Sequence, residues 1–339
     1  MTRYRISTTV LAVCIAVAVG AGFASSKTTS SDSTATLAPA MNLQNAFVSV
    51  YKHVSPSVVQ IETTEGLGSG IVLDSKGDIV TNDHVVGTAT TFKVTTSSGT
   101  RLTGKLVGTF KLDDLAVIKV SGAGLNPATF ANSDNLHIGD IAMAIGNPLG
   151  LQSSFTEGIV SQLNKSESEG NGVVLPNAIQ TSAAINPGNS GGALVNLDGS
   201  VIGIPTLAAA DPQLGGAAVG IGFAIPSNVV KSIATQLVEK GKVTNSDRAY
   251  LGVEVADTSS ANGVYVSKIL AGTGASSSGL KVGDRITSVN GSPTPTSTEL
   301  RTVLAGLKPG QTVKLAVTHQ GGSTGTIELK LGQYPAGSS

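Results

Sequence analysis

Asn186-Pro187-Gly188-Asn189-Ser190-Gly191-Gly192 places one serine among three glycines, between Thr181-Ser182-Ala183-Ala184-Ile185 and the apolar run Ala193-Leu194-Val195. Glycine reaches backbone conformations closed to other residues and lets a neighbouring chain come close. A tight turn of this composition can aim successive N–H groups at one point while presenting the Ser190 hydroxyl. Donors so placed are what a carbonyl under attack needs as negative charge develops on its oxygen. A glycine-rich hairpin of a β protein has the same look, so the motif is weighed against the rest of the chain.

A serine nucleophile needs a base, and the base needs an orienting acid. The histidines are His53, His84, His137 and His319. His84 stands in Ile79-Val80-Thr81-Asn82-Asp83-His84-Val85-Val86, where an apolar strand gives way to a turn. Lys111-Leu112-Asp113-Asp114 runs straight into the apolar Leu115-Ala116-Val117-Ile118-Lys119-Val120, so Asp114 caps a buried strand. The order His84, Asp114, Ser190 is that of the chymotrypsin-like triad. His53 lies before the first strand, His137 in a polar turn and His319 in the distal region. No HExxH string or carboxylate cluster suggests a metal, and no cofactor is expected.

These blocks resemble those of the HtrA (DegP-like) serine proteases. Gly146-Asn147-Pro148-Leu149-Gly150, Thr156-Glu157-Gly158-Ile159-Val160-Ser161 and Gly220-Ile221-Gly222-Phe223-Ala224-Ile225-Pro226 match further blocks of that family, in order. The resemblance implies a mainly β fold: a chymotrypsin-like double β-barrel with the site between the barrels, followed by a small α+β PDZ domain. It implies Ser190 as nucleophile, His84 as base and Asp114 as the acid that fixes the imidazole tautomer, with Asp113 the rival to Asp114. The oxyanion hole is expected from the N–H groups of Gly188 and Ser190, helped by Asn189. The edge Ile204-Pro205-Thr206 is expected to pair with substrate and line the pocket for the residue before the cut. Pro205 and Ser182 stand where relatives commonly carry Asn and Asp, which bears on substrate preference and leaves the triad untouched. With no Asp or Arg at the pocket base, a small aliphatic preference is expected.

Composition agrees with many short strands: 42 glycines, no Trp and frequent Val and Thr in a chain of 339 residues, long enough for two domains. Lys and Arg (22) balance Asp and Glu (22), and no basic stripe argues for nucleic acid. Residues 1–26 read as a signal peptide or membrane anchor. Arg3 and Arg5 precede an uncharged run from Ile6 to Ala24, long enough for a bilayer and flanked by charge that keeps its start inside. Gly22-Phe23-Ala24-Ser25 offers small residues for cleavage. Cys14, the single cysteine, lies within this run, so no disulfide forms within the chain. The catalytic part is therefore expected outside the cytoplasm, anchored or secreted.

Residues 27–42, rich in Ser and Thr, read as a flexible linker, and the protease domain is expected over 43–241. In HtrA relatives the segment before the first strand supplies aromatic contacts that form a trimer; Phe47 and Tyr51 suit either that role or packing on their own subunit. Hairpins are expected for Ile71–Leu73 with Ile79–Thr81, and for Phe92–Thr96 with Arg101–Val107. Gly68-Ser69-Gly70 reads as a close-packing start of a strand. Ser227 is the expected N-cap of a helix on Val229, Val230, Ile233, Ala234 and Leu237 that stops at Gly241. A linker follows over 242–249. The last stretch, 250–333, carries Gly279-Leu280-Lys281-Val282-Gly283-Asp284-Arg285-Ile286, which resembles the strongest PDZ signature. Tyr250-Leu251-Gly252-Val253 resembles the carboxylate-binding loop of those domains. Thr296-Ser297-Thr298-Glu299 has the form of a capping box, ahead of an apolar face on Leu300, Val303, Leu304 and Leu307. Such a helix and strand make a groove in which a peptide C-terminus adds as a strand.

The expected function is a serine endopeptidase of the bacterial envelope that degrades misfolded or exported proteins. Its expected partners are unfolded polypeptides, peptide C-termini, a homotrimer of its own copies and the membrane. An α/β-hydrolase esterase would need an acid and then a histidine after Ser190; His319 is the one histidine there and falls in the PDZ-like stretch. A non-catalytic PDZ adaptor or chaperone is the other alternative.

Overall fold

Strand runs buried on both faces dominate the chain and explain its architecture. The computed structural model describes residues 33–64, 66–121, 124–147, 154–168, 174–186, 188–211, 216–257 and 262–335. These divide into two units, one up to Gln44 and one from Asn45 onward. Within the first, helix α1 (Ser33–Val54) begins. The linker expected over 27–42 is therefore helical from Ser33, because Ala35, Leu37, Ala38, Ala40 and Met41 are good helix formers. Its first residues, the leader at 1–26 and Cys14 lie outside the described residues. No helix among the described residues is long and apolar enough to cross a membrane.

The second unit opens with a closed barrel of β1 (Val58–Glu62), β2 (Leu67–Val72), β3 (Asp78–Thr81), β4 (Thr91–Thr95), β5 (Arg101–Phe110) and β6 (Leu115–Val120). The strands pair in the order β1-β2-β3-β6-β5-β4. A one-turn helix, α2 (Asp83–Val86), leaves β3. The second closed barrel holds β7 (Ile141–Gly146), β8 (Ser154–Ser168), β9 (Val174–Thr181), β10 (Ala193–Val195), β11 (Val201–Asp211) and β12 (Gly216–Pro226), in the order β10-β11-β12-β9-β8-β7. Strands β8 and β9 pair antiparallel, as do β11 and β12.

Successive side chains of a strand point to opposite faces, and here both faces are dry. On β6, Ala116, Ile118 and Val120 fill the first barrel, whereas Leu115 and Val117 face a seam. On β7, Ala142 and Ala144 fill the second barrel, whereas Met143 and Ile145 face the same seam. The catalytic candidates stand along the edge of this shared core. Helix α3 (Ser227–Lys240) covers it with Val230, Ile233, Ala234 and Leu237 and stops at Gly241 in the left-handed region. Its cap residue is Pro226 rather than Ser227, whose hydroxyl donates to Ala131 O at 2.9 Å.

The remaining elements are β13 (Ala249–Tyr250), β14 (Val253–Ala256), β15 (Val264–Ile269), α4 (Gly274–Ser277), β16 (Arg285–Val289), β17 (Ser292–Pro293), α5 (Ser297–Ala305), β18 (Thr312–Thr318), β19 (Thr324–Lys330) and β20 (Gly332–Gln333). A sheet in the order β14-β15-β16-β18-β19 packs its own core of Val264, Val266, Ile286, Val289, Leu300 and Leu315. At the start of α5 the side chains of Thr296 and Glu299 bond to each other, so the expected capping box does not close on the backbone. Asp257 caps the helix instead, accepting from Ser297 N at 2.5 Å and from Ser297 Oγ at 2.8 Å. A carboxylate is favourable at that end of the helix dipole.

Candidate active site

His84 reaches the seam because β3 ends in a cap. Asn82 is extended (φ −77°, ψ 149°), α2 turns once and Gly87 (φ 53°) ends it. Asp114 arrives from the other side through a 3-10 turn, Lys111–Asp113, and takes left-handed angles itself (φ 48°, ψ 45°). A non-glycine residue persists there only where its surroundings hold it, and here they do. Asn82 Nδ2 donates to Asp114 O at 3.0 Å, and His84 N donates to Asp114 Oδ1 at 2.9 Å.

The imidazole Nδ1 lies 2.8 Å from Asp114 Oδ2. A carboxylate accepts, so this contact puts the proton on Nδ1 and makes Nε2 the basic nitrogen of the ring. The Asp114 side chain is 3% exposed and that of His84 46%, so the acid is sheltered while the base faces the cleft. Thr206 completes the arrangement. Its Oγ1 donates to Asp114 Oδ2 at 2.5 Å, and its carbonyl accepts from Ser190 Oγ at 3.1 Å. One residue is thus in hydrogen-bond contact with both the acid and the serine, so His84, Asp114, Thr206 and Ser190 form one run of contacts.

Asp113 faces away from this site. Arg248 Nη2 stands 2.7 Å from Asp113 Oδ1, and the same nitrogen donates to Leu112 O and, at 2.6 Å, to Val174 O. Burial pushes the Asp113 carboxyl above its ordinary range, against the pull of the Arg248 charge. Asp83, beside His84, is also pushed up, first by burial and then by the Asp114 charge, with Lys111 pulling the other way.

Around Ser190 the main chain is pinned. Asn189 N donates to Asn186 O (2.9 Å), Gly191 N to Pro205 O (3.1 Å) and Gly192 N to Asn189 O (2.9 Å). No described group accepts from the N–H of Gly188 or Ser190. Asn189, expected to assist, has its N–H committed to Asn186 and its side-chain amide turned to Ala184 O at 3.4 Å. Gly191 is required twice: its φ is +79°, and a Cβ there would stand 2.2 Å from Ser69 O.

The pocket expectation changes in detail. Ile204 is fully buried in the seam and the Thr206 hydroxyl is held by Asp114, so what this edge can offer a substrate is backbone. Strand alternation is the reason, since it turns these side chains inward.

In the distal unit Tyr250, Leu251 and Val253 line a cavity of about 650 Å³ between β14 and α5, with Leu300 and Leu304 opposite. Gly252 makes the turn of this loop at φ +86°, where a Cβ would strike Thr273 at 2.3 Å. Leu112 and Val174 of the barrels reach the same cavity. Sequence reasoning missed the grip of Arg248 and the bond of Thr206 to Asp114. A lone hydroxyl side chain within the otherwise apolar run of β11 was the available signal for the second; nothing local marked the first.

Comparison with known proteins adds to this geometry. The family model of the trypsin-like peptidase domain matches residues 68–204, and that of the PDZ domain matches 249–331. The chain is 42% identical over 266 residues to the periplasmic pH-dependent serine endoprotease DegQ of Escherichia coli (strain K12), covering 76% of this chain and 57% of that protein's length. It is 38% identical over 333 residues to the serine protease Do-like HtrA of Bacillus subtilis (strain 168), covering 89% of this chain and 72% of that one. Among solved structures, the HtrA-type protease AlgW with tripeptide superposes with a TM-score of 0.60 at 31% identity, over 85% of this chain and 97% of the other. By sequence and fold together, the chain belongs to the HtrA (DegP-like) family of trypsin-like serine proteases with a C-terminal PDZ domain.

Proposed function

We propose that the protein is a serine endopeptidase acting outside the cytoplasm on misfolded or exported polypeptides. The observation that carries this reading is the chain of contacts from His84 through Asp114 and Thr206 to Ser190. Ser190 Oγ attacks the scissile carbonyl while its proton passes to His84 Nε2, and Asp114 stabilises the imidazolium that results. The N–H groups of Gly188 and Ser190 receive the developing oxyanion. Collapse of the tetrahedral intermediate breaks the C–N bond, and the proton on Nε2 goes to the leaving amine. Water, deprotonated by the same histidine, then releases the acyl group from Ser190. With no Asp or Arg at the pocket base, a small aliphatic residue is favoured before the cut.

The groove between β14 and α5 binds peptide C-termini, with the Tyr250–Val253 loop at the carboxylate. The aromatic cluster of Phe47, Tyr51 and Phe155, with ring centroids 6.2 and 6.1 Å apart, serves a homotrimer, and the N-terminal segment serves as a membrane anchor. Light scattering on a purified soluble form reads the first; a monomer removes that part. The domain limits are 43–241 and 250–333. DegQ and DegP of Escherichia coli (strain K12), to which the chain is similar, are periplasmic serine endoproteases, which supports an envelope setting for this chain.

The test is degradation of casein by the soluble region against Ser190→Ala. Loss in the variant is expected; equal degradation by both removes Ser190 from the mechanism. No degradation by either would favour a PDZ-bearing adaptor or chaperone.

A further inference from the structure

Ser69, in β2, is fully buried and has all its polar groups engaged around the Ser190 turn. Its Oγ donates to Gly188 O at 2.5 Å and accepts from Asn147 N at 2.8 Å. Its N–H donates to Ser190 O at 2.9 Å, and its carbonyl accepts from Thr81 Oγ1 at 2.6 Å. These bonds join the turn to both barrels: Thr81 ends β3, two residues before α2 begins, and Asn147 follows β7. Neighbouring Gly68 allows the approach, since a Cβ there would stand 2.6 Å from Val85, the residue after His84.

Peptide planes carry a carbonyl on one edge and an N–H on the other. Ser69 Oγ holds Gly188 O while Asn186 O holds Asn189 N on the opposite edge of that plane. Ser69 N holds Ser190 O while Pro205 O holds Gly191 N on the opposite edge of the next but one. The plane between them, whose free edge is the Ser190 N–H, has its carbonyl held by Gly192 N. The turn is thus fixed with the Ser190 donor unspent.

We propose that Ser69 is a positioning residue for the oxyanion hole, its hydroxyl orienting the Gly188–Asn189 peptide relative to the barrel that carries His84. The inference rests on the serine-protease reading. Alanine would leave two buried backbone groups, Gly188 O and Asn147 N–H, without their partner, and such groups are costly to orphan. The turn would then relax away from the geometry that a developing oxyanion requires.

The experiment compares wild type, Ser190→Ala and Ser69→Ala as the full chain on one fluorogenic peptide. Removing one donor outright costs on the order of 10²–10³ in kcat, so misplacing the donors is expected to lower kcat about 10- to 100-fold. KM should hold within about twofold, because ground-state binding is untouched. Affinity for a peptide boronate, which forms a tetrahedral adduct on the serine, should fall by the same factor as kcat. Affinity for the matching peptide amide should not fall. The pH midpoint of kcat/KM should stay in place, since the His84–Asp114 pair is unaltered. A Ser69→Ala enzyme with wild-type kcat, or with KM alone raised, overturns the inference while an active wild type and a dead Ser190→Ala keep the parent reading. An inactive wild type overturns both. If Ser69→Ala does not fold, Ser69→Cys, which keeps a weak donor, is expected to be intermediate in kcat; wild-type kcat there, or failure of both to fold, overturns the inference.

Discussion

Thr206 shows how much one side chain decides at the residue scale, since its hydroxyl bonds Asp114 and its carbonyl bonds Ser190. Replacing it by valine keeps the shape and removes the bond to the carboxylate. Bonds to charged groups contribute about 1.5–3 kcal/mol, so Thr206→Val is expected to lower kcat/KM roughly 10-fold or more, read on a fluorogenic peptide. Unchanged kcat/KM would show that Asp114 is oriented without it. Asp83 gives a pH prediction with a definite sign. Its carboxyl titrates above 3.8 in the folded chain because burial and the neighbouring Asp114 charge oppose ionisation. Ionised Asp83 therefore costs stability at neutral pH, and that cost disappears as pH falls through the raised folded value to below 3.8. Asp83→Asn should raise the melting temperature at pH 7, with the advantage over wild type shrinking in acid. An equal gain at both pH values would refute the cause assigned.

At the scale of elements, alternation and turn chemistry made most of the fold legible. The hairpins around Asp74–Asp78 and Ser97–Thr100 and the helix ending at Gly241 follow from local pattern alone. The three triad candidates were legible because each ends or precedes an apolar strand. What stayed hidden depends on distant partners. Ile204 reads like a pocket residue until its strand is placed in the seam, and Thr296-Ser297-Thr298-Glu299 reads like a capping box until Asp257 arrives from 40 residues away. That cap gives its own prediction. Asp257→Ala should destabilise the PDZ-like unit by about 1 kcal/mol, read as an earlier urea transition monitored by tyrosine fluorescence. An unmoved transition would mean that the Thr296–Glu299 contact suffices.

For the molecule as a whole, Arg248 is the tie that local sequence could not reveal. One guanidinium joins the turn bearing Asp114, the second barrel at Val174 and the first strand of the PDZ-like unit. Breaking a buried ion pair from one side typically costs about 3–5 kcal/mol, whereas replacing both partners by apolar residues is often near neutral. Arg248→Met is therefore expected to lower stability by several-fold more than Arg248→Met with Asp113→Leu, by urea denaturation at pH 7. Equal losses in the two would mean that the carbonyl contacts of Arg248 dominate. Above all these contacts stands the proposal that Ser190, His84 and Asp114 form one nucleophilic centre. Intact-mass analysis after exposure to a fluorophosphonate tests it most directly. The prediction is a single adduct mapped to Ser190, absent in Ser190→Ala and at least about 100-fold slower in His84→Ala; an adduct on another residue, or labelling indifferent to His84, would contradict it.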